Sequence, residues 1–248
     1  MQDNQHGFAP WADCKDSVNF LRNRSGHEEL IAFWIDAIIR DATLKGGAGM
    51  VCGKLRTKKS GCGTIRKFAT LAAMVSYFIE EYRPGELGEL RSFQTDEKGL
   101  TKALLERAAL ARDSHGKRYA HQRRLTRDSL ISAHEALRAK LGRLQKAGSF
   151  DEVWDLVRDA TSEVAGIGEL YHYDTALRIA AACRHAPEDV CLHAGTRIGA
   201  KRLGIRTDRE RVLMSELPTE LHRLQAHEVE SFLCIFKNQL GAATQRRA

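Results

Sequence analysis

The stretch VAGIGELYHYDTALRIAAACRHAPEDVCLHAGTRIGAKRLG, from Val164 to Gly204, decides how the chain folds. It reads as the end of one helix, a glycine hairpin, a second helix, a short turn and a third helix. Gly166-Ile167-Gly168 is the hairpin, since glycine enters the left-handed region at little steric cost. With no side chains in the way, backbone N–H groups there can approach an anion, and the helix that follows points its positive end the same way. The motif therefore points toward a nucleic-acid backbone.

Working back from the hairpin, Ser149 and Glu152 form a capping box that launches the helix FDEVWDLVRDATSEVA. Upstream, Leu30, Trp34 and Ile38 (within 27–42) recur at helical spacing, as do Phe68, Leu71, Val75 and Phe78. The second of these stripes ends at Tyr82-Arg83-Pro84-Gly85, leaving 84–97 as a connector. Helices are expected over 102–112 and 127–146, and two closing helices over 218–240. No strand and no internal repeat is read. The expected fold is all-α, with a tail at 1–26 and one helical domain over 27–248. A division into lobes at 27–147 and 148–248 is the alternative.

Two segments are strongly basic. Residues 45–67 hold seven Lys or Arg and six glycines, with no acid between Asp41 and Glu80. A nucleotide-binding P-loop is excluded there, because Ala48 and Leu55 stand where its glycine and hydroxyl residue belong, and a helix precedes it. Lys58 is a phosphate-contact candidate in this loop. In 112–127, Arg112, Lys117, Arg118, Arg123, Arg124 and Arg127 face one acid, Asp113, with Tyr119 among them; Arg118, Arg123 and Arg124 are candidate backbone contacts. A solvated connection is the plain alternative for both segments.

The net charge of +7 favours a polyanionic partner, and 43% hydrophobic residues favour a folded chain over a disordered one. The six cysteines show no CxxC pair and no regular framework, and the N-terminus lacks a charged and then apolar leader. Free thiols, a reducing cytoplasm and no metal site are expected. No apolar run is long enough for a membrane span.

On these residues the chain resembles the helix-hairpin-helix DNA glycosylase superfamily. Gly166-Ile167-Gly168 matches the family's hairpin, with Val164-Ala165 for its Leu-Pro. Thr175-Ala176 matches the start of the next helix after extra residues Tyr171 to Asp174. Leu192 to Arg197, running on to Lys201-Arg202-Leu203-Gly204, matches the following turn and helix. His193 stands where the family has its essential aspartate, and Asp174 where lyase-type members have a nucleophilic lysine. The cysteines that hold an iron–sulfur cluster in some members are missing, so no cofactor is implied.

The resemblance implies a multi-helix bundle that binds double-stranded DNA and hydrolyses the N-glycosidic bond of a damaged or modified base. That reaction passes through an oxocarbenium-like state, which a placed carboxylate stabilises, and needs the nucleotide extruded into a pocket. Asp174 and His193 are the catalytic candidates; Asp174 can equally be a helix-start acid favoured by the macrodipole. Tyr171 and Tyr173 can stack on a flipped base or pack the turn. Arg197 and Lys201 join Gly166 and Gly168 as phosphate contacts. The alternatives to an enzyme are a non-catalytic hairpin module for DNA or RNA, and a helical protein whose basic loops meet an acidic protein.

Overall fold

A computed structural model describes residues 67–94 and 99–241, which lie within one compact unit, Gly47–Ala248. The expected helix at 27–42 and the basic loop with Lys58 lie outside the described residues. The described part is mostly helical, as the sequence predicts.

Helix α1 (Leu71–Glu81) starts on Thr70, whose hydroxyl accepts from the Ala73 N–H at 3.2 Å. The expected connector at 84–97 is instead largely helical: α2 (Arg83–Arg91) follows at once, with Pro84 in its first turn. Proline suits that position because a first-turn N–H has no intrahelical partner to lose. Next come α3 (Lys102–Ala109), α4 (Arg127–Ala139), the short α5 (Leu141–Leu144) and α6 (Phe150–Thr161). The single helix expected over 127–146 is thus two, parted at Lys140. Ser149 caps α6 as expected, but Glu152 reaches back to the Gly148 N–H at 2.8 Å, one residue before the cap.

Helix α7 (Glu169–Ala182) leaves the hairpin and packs along α6. A two-residue strand β1 (Val190–Cys191) pairs antiparallel with β2 (Arg211–Val212), a small ladder the sequence reading missed. Between them lies α8 (Ala194–Arg202), ended by Gly204 at φ +75°. Of the two closing helices, 218–224 is only a 3₁₀ turn (Thr219–Arg223), and the second is α9 (Ala226–Phe236).

Two main cores result. Leu105, Leu137, Leu144, Val153, Val157 and Ile179 belong to the first, Met74, Phe78, Leu221, Val229, Phe232 and Phe236 to the second. The first core draws on both sides of residue 147, so its packing does not part into lobes there. Strand β1 is the seam: Cys191 enters the first core while Val190 and Leu192 enter the second, the alternation an extended chain imposes. Helix α8 comes closest to α9 at its two glycines, 195 and 199. A Cβ on Gly199 would stand 2.3 Å from the Leu233 carbonyl oxygen, and one on Gly195 would stand 2.7 Å from Cys234 Sγ. That close approach fixes where α8 begins, and its first residues belong to the candidate site.

Candidate functional site

The hairpin is built between the end of α6 and the start of α7. Ile167 N–H closes a turn on the Val164 carbonyl at 3.1 Å, and Gly166 takes φ +82°. Val164 and Ile167 pack against Leu130, Ala133 and Tyr171 in a small third core. Ser129 of α4 donates its hydroxyl to the Ala165 carbonyl at 2.6 Å, which ties the hairpin to the start of that helix. Ala165, Gly166 and Gly168 are exposed. Gly168 is the N-cap of α7 and provides no side-chain acceptor, so the first-turn N–H groups of a 14-residue helix face outward.

The cations sort into two kinds. Arg123, Arg124 and Arg127 are exposed and lead into the α4 turn that holds Ser129 against the hairpin. Lys201 is exposed on α8. Arg118 is partly buried and donates to the Leu125 carbonyl at 2.9 Å, so it braces its own loop. Arg197 is paired at 2.8 Å with Glu169 in the first turn of α7. Glu163 and Asp128 are exposed on the same rim and reduce its positive charge.

Asp174 does not start a helix. Helix α7 begins at Glu169, so Asp174 lies in its second turn, where the macrodipole has little effect. Nothing in Glu169-Leu170-Tyr171-His172-Tyr173 breaks a helix, so the supposed extra residues simply lengthen it. Asp174 Oδ2 accepts from His121 Nε2 at 2.6 Å and Gln122 Nε2 at 2.7 Å, and Arg178 stands at 3.6 Å. Burial raises its pKa, but Arg178 and then His121 outweigh it, so the carboxyl is held below its ordinary value. This carboxylate fastens the basic segment 112–127 to α7. Arg178 also lies over the Tyr119 ring at 3.9 Å. Its spacing four residues from Asp174 was a usable signal for the pair.

The tyrosines are packing residues in this conformation. Tyr171 is buried and donates to the Ala109 carbonyl at 2.9 Å. Tyr173 is buried against Phe150 and Trp154, with ring centroids at 6.1 and 6.3 Å. Neither offers an open face to a base.

His193 is the N-cap of α8 and only 5% exposed. Its backbone N–H donates to Thr196 Oγ1 at 2.7 Å, and its Nδ1 accepts the Gly195 N–H at 3.3 Å. An accepting Nδ1 leaves the proton on Nε2, which donates to Glu230 Oε1 on α9. The sequence reading missed Glu230, which sits 37 residues away on a helix read for its apolar positions. Behind it lies Glu86, fully buried, whose pKa burial pushes well above the usual carboxylate range against a smaller pull from Ser231.

His193 and Tyr173 line a cleft together with Arg158, Glu169, His172 and Arg197. The Tyr173 hydroxyl is buried there without a hydrogen bond. The cleft holds about 50 Å³, room for a water or two and not for a base. Hairpin, Arg197 and His193 thus come together, while Asp174 is turned toward the basic segment. Among the described residues no group of three His, Cys, Asp or Glu is placed to hold a metal, and Cys183 and Cys191 are free thiols. No described helix is long and apolar enough to cross a membrane. Comparisons with protein-family models, with curated proteins and with solved structures give no match for this chain.

Proposed function

We propose that the protein binds double-stranded DNA through its phosphate backbone, as a helix-hairpin-helix protein related to the DNA glycosylases. The observation that carries this is the exposed hairpin: Gly166 at positive φ and an α7 N-terminus without a side-chain cap, with exposed Arg123, Arg124 and Arg127 on the segment whose Ser129 holds the hairpin. Anions favour such a helix end, and arginines flanking it extend the contact along a strand. If those three arginines and Lys201 each neutralise one phosphate, log K should fall against log salt with a slope of about −3.6. Fluorescence anisotropy of a labelled duplex across 50–250 mM salt measures it. A slope near zero, or no binding at low salt, would falsify the reading and leave an acidic protein as the partner. A matched RNA duplex in the same titration separates DNA from RNA.

A second reading, base excision, is favoured by the His193–Glu230 pair. Where a carboxylate was expected at residue 193, a histidine holds one supplied by α9. His193 lines the cleft and Glu230 stands behind it, so the pair would stabilise an oxocarbenium-like state only if the cleft opens to admit a nucleotide. Alkali-labile sites in modified DNA, formed by the wild type and lost in Glu230→Gln, are the expected result. No product across a panel of modified bases removes the enzymatic reading and leaves the binding one intact.

A further inference from the structure

The cleft beside His193 holds polar groups that neither reading uses. Tyr173 is only 2% exposed, and its hydroxyl is buried with no hydrogen bond. His172 Nε2 is buried in the same state. Both residues line the cleft, as do Arg158 and Arg197. A buried polar group left unbonded costs about 1–3 kcal/mol, so two of them on one small cavity point to a polar occupant. The two arginines set its charge.

Arg197 pairs with Glu169 at 2.8 Å, and Arg158 pairs with Asp155 at 2.8 Å and Glu210 at 3.6 Å. All three carboxylates are more than half exposed, so each pair is worth about 0–1 kcal/mol and the acid can turn away into water. A phosphate group offers both guanidiniums charge-assisted hydrogen bonds, which are the stronger kind. It needs little more room than two waters, and its ester oxygen can lie in the mouth between the partly exposed arginines. Glu230 does not line the cleft, and its charge is already bonded to His193. Burial and then Arg158 lower the His172 pKa, so the ring enters neutral and Nε2 can accept a hydrogen bond. A phosphate monoester, with its second pKa about 6, presents a P–OH to such an acceptor, whereas a diester within a strand has none.

We propose that the cleft is a binding site for a phosphate monoester, with Arg158 and Arg197 on its oxygens at the mouth, the Tyr173 hydroxyl donating from inside and His172 Nε2 accepting from the P–OH. Glu169 and Glu210 hold the arginines until it arrives. The monoester is either the end of a nucleic-acid strand or free phosphate. The inference goes beyond duplex binding and does not rest on it, because free phosphate reaches the cleft without the hairpin.

The test is calorimetric titration with inorganic phosphate at pH 7 and constant ionic strength, with sulfate, which carries no proton there, as the comparison anion. Phosphate should bind at millimolar concentration or below, and sulfate more weakly. Arg197→Gln should weaken phosphate binding about tenfold. Tyr173→Phe should weaken it severalfold while the melting temperature stays at or above wild type, because the hydroxyl it removes has no partner to lose. Glu169→Gln should tighten binding, since it removes a competitor for Arg197. Lys102→Gln, at an exposed cation outside the cleft lining, should leave it unchanged. No phosphate binding, sulfate binding of equal strength, binding that Arg197→Gln and Tyr173→Phe leave in place, or a Glu169→Gln that weakens it overturns the site. A duplex with 5′-phosphate ends that binds more tightly than one with 5′-hydroxyl ends, by a margin that inorganic phosphate removes, assigns the strand end; equal binding of the two assigns free phosphate. Phosphate binding without any salt-dependent duplex binding overturns the hairpin reading and spares this one.

Discussion

The packing of α8 on α9 can be tested by one methyl group. In Gly199→Ala the new Cβ would meet the Leu233 carbonyl oxygen at 2.3 Å and its carbon at 2.9 Å, where ordinary contact begins near 3.4 Å. The obstacle is backbone, so no rotamer change relieves it, and the helices must part by roughly 1 Å. Overpacking of this kind costs about 3 kcal/mol, while replacing glycine by alanine inside a helix returns about 1 kcal/mol. The clash wins by about 2 kcal/mol, or roughly 4–8 °C of melting temperature for a unit of this size. Gly88→Ala is the matched control, because Gly88 lies inside α2 and a Cβ there meets nothing within 4 Å. It should gain about 1 kcal/mol, roughly 2–4 °C. Thermal unfolding by circular dichroism at one protein concentration measures both. Shifts of the same sign, or a Gly199→Ala melting temperature at or above wild type, would refute the close-approach argument.

Three further outcomes follow from the same geometry. Gly166→Ala forces φ +82° on a residue with a Cβ and sets that Cβ 3.3 Å from Ser129 Oγ, so it should destabilise by about 1–2 kcal/mol in a urea titration and weaken duplex binding. Asp174→Asn removes the charge that Arg178 and His121 face and should cost about 2–3 kcal/mol at pH 7. Because the Asp174 pKa is lowered in the fold, its contribution is full above the ordinary carboxylate range and is lost as pH falls through the folded value. The gap between wild type and variant should therefore close in acid. Glu86 has the opposite sign: burial raises its pKa, so stability falls as pH rises from the ordinary carboxylate range toward the folded value. Glu86→Gln should melt above wild type at pH 7 and level with it near pH 4; an unchanged difference across that range would show that Glu86 does not titrate this way.

The helical class was legible because most elements carry their own signal. Ser149 caps α6 and apolar stripes mark α1 and α4, all local features that survive in any context. The start of α7 was not legible from amphipathicity. Tyr171 enters the third core and Tyr173 the first, and Thr175, Ala176, Arg178 and Ile179 are all buried, so the helix has no polar stripe to contrast with an apolar one. A family pattern that places the helix start at Thr175-Ala176 then draws the boundary six residues late. The same displacement made Asp174 look like a helix-start acid in reach of substrate. Pro84 misled in the other direction: it ends α1 only by starting α2.

The candidate site was half legible for a different reason. His193 was picked out because an acid was expected there, and the structure makes it the cap of a helix at the edge of a cleft. What a linear reading lacked was its partner, since Glu230 reaches it only because Gly195 and Gly199 let α8 lie against α9. A histidine cannot hold negative charge opposite a developing cation, whereas a histidine that donates Nε2–H to a buried carboxylate fixes that charge in place. On the base-excision reading, these two residues from distant helices would take the place of one aspartate. Glycines at 195 and 199 are the cost of that arrangement, and the Gly199→Ala and Glu230→Gln variants probe its two ends. Loss of stability in the first with loss of excision in the second would tie the helix contact to the chemistry, whereas loss of stability alone leaves the contact between α8 and α9 a structural one.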